Sequence, residues 1–302
     1  IKNIHVVWFG GEPLLGIKQI ESLYRKMILI PDKNYSFSII SNGFLISPDI
    51  IKLFKEMKLQ HIQITLDGLK ETHNKIKFTK NENDTFSRTI KNIDLLASSA
   101  PEIRISIRVN MNKENSSEFI TLYSFILQRY KSNPLIGIYP AFITSTSSKS
   151  SSSCSLLFNR QEKSEFIQQL YYDRGIVTNL CGYPDSSFTE CSIRNKHTFT
   201  IDPEGYLYKC WEIIGDQKYA IAKLDSEGTI QSIDQKILNR YLYAADPLED
   251  KTCSKCPYLP ICFGGCPHKR IENIFKDKHY DTCTYLKGSL KEFIKIHLSQ
   301  NS

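Results

Sequence analysis

The sequence predicts an α/β fold in two parts, a sheet-and-helix body followed by a smaller metal-stapled region. Three observations carry this. The first half alternates β-rich runs with helical apolar stripes, periodicity breaks down after about residue 180, and eight of the nine cysteines fall between residues 181 and 283. Strand–helix repetition builds a parallel sheet, open or closed. Chains short of apolar core substitute metal sites for it. The division is expected at residues 1–178 and 179–302.

The elements follow in order. Residues 4–9, 36–41, 61–67, 102–110 and 135–141 are runs rich in Ile, Val, Phe or Tyr, and read as strands. Between them Ile17, Ile20, Tyr24 and Met27 form one helical stripe, and Ile50, Leu53, Phe54 and Met57 a second. Phe86, Ile90, Ile93 and Ala97 form a third, and Phe119, Leu122, Tyr123 and Ile126 a fourth. Ser47-Pro48-Asp49 signals the start of the second helix, a capping hydroxyl followed by proline in the first turn. Residues 144–155, TSTSSKSSSSCS, have no periodicity and read as a mobile linker, with Cys154 a free surface thiol. Residues 159–173 read as helix again.

Of 302 residues, 41% are hydrophobic and 24% charged, and no run of 18 apolar residues occurs, so no membrane-spanning helix is expected. The net charge of +7 comes from scattered lysines without a basic stripe or aromatic platform, which argues against a nucleic-acid partner. No secretory signal is visible, and a cytoplasmic location is expected.

In such sheets, ligands gather at the C-terminal ends of the strands. The first strand runs into Gly10-Gly11-Glu12-Pro13, where two glycines leave amides open and Glu12 can accept from an ammonium group. The second ends in Ser41-Asn42-Gly43, the third in Thr65-Leu66-Asp67-Gly68, and the fourth in Arg108-Val109-Asn110, whose guanidinium can clamp a carboxylate. Each alone is compatible with an ordinary turn or a surface ion pair. Gathered at one edge of one sheet, they indicate a binding pocket.

The cysteine ladder reads Cys181-x9-Cys191-x18-Cys210, then Cys253-x2-Cys256-x5-Cys262-x3-Cys266-x16-Cys283. A disulfide framework belongs to short secreted domains and would leave Cys154 over. Eight thiolates suffice for two four-coordinate sites, and soft sulfur selects zinc or iron–sulfur clusters. The spacing does not separate those two. Beside such sites, His5, His61, His73, His197 and His268 are expected to be structural or solvated.

Together, the GGEP strand end, the Ser-Asn-Gly and Leu-Asp-Gly ends and the ladder with Gly205 five residues before Cys210 resemble radical S-adenosylmethionine (SAM) enzymes bearing a C-terminal SPASM domain. The resemblance runs from Val6 to about Lys287. It implies a partial (β/α)6 barrel followed by a cysteine-rich domain with two auxiliary [4Fe–4S] clusters. Gly10, Gly11, Glu12 and Pro13 would hold S-adenosylmethionine by its amino group, with Ser41, Asn42, Thr65, Asp67 and Arg108 around the same pocket. Cys253, Cys256, Cys262 and Cys283 would hold the outer cluster, and Cys181, Cys191, Cys210 and Cys266 the inner one. The implied activity is maturation of a ribosomally made peptide or protein through hydrogen abstraction by a 5′-deoxyadenosyl radical. The implied electron donor is a flavodoxin or ferredoxin.

Three departures qualify the resemblance. The family's Cys-x3-Cys-x2-Cys, which binds the cluster that cleaves S-adenosylmethionine, is absent, and five strands are read where the family has six. A strand before Ile1 would end in that motif, so the expectation is a fragment lacking its first strand and inactive as it stands. Trp211 follows Cys210 where sulfatase-maturing relatives carry an aspartate, and Lys77 stands where many carry an arginine. A non-catalytic peptide-binding relative and a zinc-binding scaffold remain the alternatives.

Overall fold

A computed structural model describes residues 1–79, 83–144, 154–176 and 191–300. Two compact units emerge, Ile1–Phe158 with Gly175–Leu180, and Asn159–Arg174 with Cys181–Ser302. The chain therefore divides at Phe158, earlier than the expected residue 178. The helix α6 (Arg160–Arg174) belongs to the second unit, where Tyr172 donates to Glu292 at 3.2 Å and Arg160 pairs with Asp281 at 3.4 Å. Most of the expected linker, residues 145–153, lies outside the described residues, and Cys154 opens a 3-10 turn, Cys154–Leu156.

All five expected strands of the first unit form. They are β1 (Asn3–Trp8), β2 (Asn34–Ser41), β3 (His61–Leu66), β4 (Arg104–Met111) and β5 (Ile136–Phe142). Every neighbouring pair is parallel and the sheet order is the chain order, the arrangement of a barrel wall. The crossovers are α1 (Ile17–Met27), α2 (Pro48–Glu56), the short α3 (Lys70–Ile76) with α4 (Thr85–Ser99), and α5 (Phe119–Arg129). Helix α2 begins as its sequence signals, with Pro48 first and the Ser47 hydroxyl accepting from the Ile50 amide.

The sheet is two-faced. Phe37, Ile39, Ile62, Ile64, Leu66, Ile105, Ile107, Val109 and Met111 alternate onto one face and are buried. With the apolar stripes of the helices they form the core. Parallel strands covered on both faces are usually apolar throughout. Here the opposite face carries His5, Ser36, Ser38, His61, Gln63, Ser106, Arg108 and Tyr139, aligned by register across all five strands. These side chains bond to one another. His5 shares hydrogen bonds with Ser36 at 2.7 Å and Ser38 at 3.2 Å, His61 with Ser106 at 2.9 Å, and Tyr139 donates to Gln63 at 2.7 Å.

The second unit opens with α6 and then forms a four-stranded antiparallel sheet. Its strands are β6 (Thr200–Ile201), β7 (Tyr206–Tyr208), β8 (Ala222–Leu224) and β9 (Ile230–Ile233). These strands were not expected from the sequence, being only two to four residues long. Helix α7 (Gln235–Asn239) runs into a π-helical turn, Arg240–Ala244, followed by α8 (Leu259–Cys262), α9 (Pro267–Lys276) and α10 (Leu290–Gln300). Ile193, Tyr208, Ile213, Tyr241, Ala245 and Ile271 pack into its core, with Cys210 against them. No helix among the described residues is long and apolar enough to cross a membrane.

Ile64 is fully buried in the central strand, and a Cβ at Gly43 would stand 2.9 Å from it. Ile64→Ala is expected to destabilise the first unit by about 2–5 kcal/mol. Leu15→Ala, at a 78% exposed position, is expected to change stability by less than about 0.5 kcal/mol. Denaturant unfolding followed by fluorescence measures both, and equal effects would contradict the assigned core.

Candidate functional site

Two regions carry the chemistry, the C-terminal strand ends of the first unit and the cysteines of the second. At the strand ends Glu12 is the organiser. Its carboxylate accepts from the Leu14 amide at 3.0 Å, the Ser41 hydroxyl at 2.8 Å and the Asn42 amide at 2.8 Å. Glu12 therefore caps the 3-10 turn Pro13–Gly16 and ties the end of β1 to the end of β2. The expectation assigned this carboxylate to a ligand's ammonium; three of its acceptor positions serve its own chain. Gly10 and Gly11 are exposed, and a Cβ at either would meet nothing within 4 Å. That open space beside bare backbone fits a ligand approaching the amides closely.

A second cluster forms at the ends of β3 and β4. Arg108 donates to Asn110 at 2.9 Å, and Asn110 donates to Asp67 at 3.1 Å. The Asp67 amide donates to His73 Nδ1 at 3.3 Å, and Asn115 donates to the carbonyls of Asp67 and Asn110 at 2.7 and 2.9 Å. Lys77 reaches Asp67 at 3.8 Å, so the lysine keeps an ion pair with the strand end. Asn110 binds Oδ1, while Oδ2, the oxygen that Lys77 Nζ faces at 3.8 Å, is buried and accepts no hydrogen bond. Such an atom fits a site whose donor comes from a bound molecule.

Thr65 and Arg108 stand opposite each other in register on the polar face. Ser41 does not join them. Alternation along β2 places it with Phe37 and Ile39 on the helix-covered side, where its hydroxyl serves Glu12 and the Gly43 amide. His73, Asn115 and Glu118 were missed as organisers of this edge. Glu118 accepts from the Leu69 amide at 2.6 Å, and it closes over Gly68, where a Cβ would lie 2.5 Å from its Oε2. Their sequence context, a short helix and a loop without periodicity, gave no signal.

In the second unit seven cysteines are free thiols among the described residues; Cys181 lies outside them. They sort into two groups by mutual electrostatics. Burial pushes the Cys262 thiol up, the Gly264 amide offsets this, and Cys253, Cys256 and Cys283 add to the rise. Burial pushes Cys210 up to about 12, opposed by a backbone bond at Glu212 and reinforced by Cys266, Glu212 and Cys191. Cys253, Cys256 and Cys283 thus act on Cys262, and Cys191 and Cys266 on Cys210. Arg270, 6% exposed, donates to Cys253 Sγ at 3.3 Å and to Asp250 at 3.0 Å. Asp250 in turn accepts from the Cys253 amide at 2.9 Å. Lys287 approaches Cys283 Sγ at 3.7 Å, and the Gly264 amide approaches Cys262 Sγ at 3.4 Å. Cationic and amide donors directed at sulfur suit a thiolate-held group. Gly265, at φ +72°, lets the chain cross itself, since a Cβ there would lie 1.8 Å from the Thr282 carbonyl oxygen. That crossing brings Cys266 and Cys283 to neighbouring strands of chain.

In the inner set, the buried Lys209 donates to the carbonyls of Asn195 and Thr198 at 2.6 and 2.5 Å, fixing the loop after Cys191. Tyr241 Oη and His268 Nδ1 are buried without partners. Among the described residues, no three His, Cys, Asp or Glu side chains close around one point as a single-ion site.

Residues 3–126 match the Radical SAM superfamily. A cysteine-type anaerobic sulfatase-maturating enzyme of Clostridium novyi (strain NT) is 25% identical over 305 residues, covering 90% of this chain and 75% of the relative. Among solved structures, native anSMEcpe with bound AdoMet superposes with a TM-score of 0.69 at 19% identity, covering 99% of this chain and 83% of that one. Streptococcus suis SuiB bound to precursor peptide SuiA gives a TM-score of 0.53 at 17% identity, covering 93% and 64%. The two structures share the fold.

Burial holds the His73 imidazole down to about 4, with Asp67 opposing and Lys77 assisting. Unfolded, it would titrate near 6.5. The unfolded chain therefore binds more protons between these values, so stability is intact above pH 6.5 and falls as pH drops toward 4. The expected loss is about 3 kcal/mol. Unfolding curves at pH 7 and 4.5 should show a smaller pH-dependent difference in His73→Gln, and identical pH dependence in both proteins would refute this.

Proposed function

We propose that the chain is the body of a radical SAM maturase that modifies a ribosomally made peptide or protein, with a SPASM-type second unit carrying two auxiliary [4Fe–4S] clusters. The supporting observation is the separation of the ladder into two groups of neighbouring thiols in a chain whose strand ends carry the open Gly10–Gly11 backbone. In this reading Cys253, Cys256, Cys262 and Cys283 hold one cluster, and Cys191, Cys210 and Cys266 with Cys181 hold the other. S-adenosylmethionine bound beside a reduced cluster supplies hydrogen-atom abstraction from a substrate carbon.

The chain's own residues prepare the pocket. Glu12 fixes the β1 and β2 ends beside the open space at Gly10 and Gly11, and Asn42 Oδ1 closes the next turn by accepting from the Phe44 amide. Pro13 sets the turn behind them. Asp67 Oδ2 offers an acceptor, while Thr65 and Arg108 offer a hydroxyl and a guanidinium on the polar face. That face, lined with histidine, serine and glutamine, suits an extended peptide better than an apolar molecule. A precursor peptide or protein is the proposed partner, a flavodoxin or ferredoxin the proposed electron donor, and the cytoplasm the proposed location.

Residues 1–302 contain no Cys-x3-Cys-x2-Cys, so these residues alone are proposed to hold S-adenosylmethionine without cleaving it. A sulfatase-type substrate has less support than a peptide, because Trp211, 59% exposed, stands directly after Cys210.

Anaerobic purification with iron, sulfide and zinc analysis tests the cluster assignment. About eight irons per chain are expected from two four-iron clusters. Cys210→Ala and Cys253→Ala should each reduce this to about four, and Cys154→Ala should leave it unchanged. A colourless zinc protein would favour the scaffold alternative. Gly11→Ala fills the ligand space and should weaken S-adenosylmethionine binding at least roughly tenfold by calorimetry; unchanged affinity would remove that residue from the site.

A further inference from the structure

Tyr241 is the largest puzzle in the second unit. It is 1% exposed, and its hydroxyl is buried without a hydrogen-bond partner. A phenol hydroxyl desolvated in that way costs about 1–3 kcal/mol unless something accepts its proton. Phenylalanine would fill the same volume without that cost, so the hydroxyl needs an explanation. The backbone around it is unusual as well. Tyr241 sits in the π-helical turn Arg240–Ala244, a conformation found mostly as single turns at functional sites.

Its surroundings identify the missing acceptor. Tyr241 belongs to the core cluster against which Cys210 packs. The titratable groups near its hydroxyl are Cys210, Glu272, Cys266 and Arg240. Glu272 is already engaged, accepting from Tyr219 at 3.1 Å and pairing with Lys276 at 3.1 Å. The His268 ring lies nearly parallel to Tyr241, with centroids 6.3 Å apart and an interplanar angle of 22°, and it carries the second orphaned atom, Nδ1. His268 is two residues beyond Cys266. Two buried polar atoms without partners therefore lie on stacked rings, one packed with Cys210 and the other two residues from Cys266.

We propose that the Tyr241 hydroxyl donates a hydrogen bond to a sulfur of the iron–sulfur group held by Cys191, Cys210 and Cys266, and so sets the reduction potential of that group. This rests on the cluster assignment given under Proposed function. The role is that of a positioning residue, since the phenol acts on the group's sulfur and on no substrate atom. Hydrogen bonds to cluster sulfur stabilise the reduced, more negative form and raise the potential. Stacking on His268 restricts the phenol ring and keeps the hydroxyl directed inward.

The test is an EPR-monitored redox titration of the anaerobically reconstituted chain, comparing wild type, Tyr241→Phe and Tyr243→Phe. Tyr243 is 68% exposed in the same turn and serves as the control. In Tyr241→Phe one of two cluster signals should titrate at lower potential by about tenfold in its reduction equilibrium, ~59 mV for a one-electron couple. The other signal and the iron content should not move, and Tyr243→Phe should match wild type. Wild-type potentials in an iron-replete Tyr241→Phe protein would overturn the inference and leave the cluster assignment intact. Should Tyr241→Phe lose iron, pulsed EPR of the wild-type chain exchanged into heavy water decides. A strongly coupled deuteron at the inner signal is expected, and its absence overturns the proposal. A wild-type chain without two reducible clusters refutes the assignment beneath it, which is visible before any variant is made.

Discussion

The strict alternation of five parallel strands is the constraint on which the first unit depends. Ile62, Ile64 and Leu66 must face the helices while His61, Gln63 and Thr65 face away, and the same holds for Ile105, Ile107 and Val109 against Ser106, Arg108 and Asn110. A slip of one residue in any strand would bury a guanidinium or imidazole under helices and expose the apolar set. Register, polar face and the placement of strand ends are therefore a single choice. Because the sheet order follows the chain order, every crossover returns on one side, and the polar face remains free of helices.

The strand ends add a second level of organisation, built from acceptors. Glu12 binds β1 to β2, the Asp67–Asn110–Arg108 chain binds β3 to β4, and Glu118 binds the loop after β3 to the start of α5. Carboxylates that accept backbone amides hold loops rigidly, since each such bond is charge-assisted. The result is a rim fixed before any ligand binds. Asp67 Oδ2 faces Lys77 Nζ at 3.8 Å, and a Cβ at Gly10 or Gly11 would meet open space. A preorganised rim costs little rearrangement on binding, which suits a cofactor that must be presented in one orientation.

How much of this was legible in the sequence depended on length and period. The five strands and the four long helices of the first unit were legible because each repeats its period over six or more residues. The short helix α3 was not, as seven residues without an apolar stripe carry no period. The sheet of the second unit was missed for the same reason, with strands of two to four residues. A turn signal was present all the same. Asp202-Pro203-Glu204-Gly205 and Asp225-Ser226-Glu227-Gly228 share a pattern, and in both the aspartate accepts from amides two and four residues on while the glycine takes positive φ. The site residues were legible as types at strand ends, but not their partners. Glu12 looked like a ligand contact, and only packing reveals that Ser41 and Asn42 claim its oxygens. Helix α6 was read correctly as a helix and assigned to the wrong unit, because a helical period does not say which neighbour buries its apolar side.

The second unit poses a different folding problem, in which holding a ligand and folding are hard to separate. Its strands are too short to form a stable sheet alone, and its core includes aromatic residues packed directly against Cys210. Arg270 is buried with a cysteine and an aspartate as partners, so removal of either would leave a charge uncompensated in the interior. Gly265 has to pass against the carbonyl of Thr282 for Cys266 and Cys283 to approach at all. Burial raises the Cys210 and Cys262 thiols, and a soft metal bound there would have to displace their protons. Metal binding would then supply attraction where burial alone supplies opposition. Cys191 and Cys266, 75 residues apart, would be fixed in one step. On that logic the unfilled hydrogen-bonding capacity at Tyr241 and His268 belongs to the same design. Polar groups in a small core are tolerated when a bound group completes them.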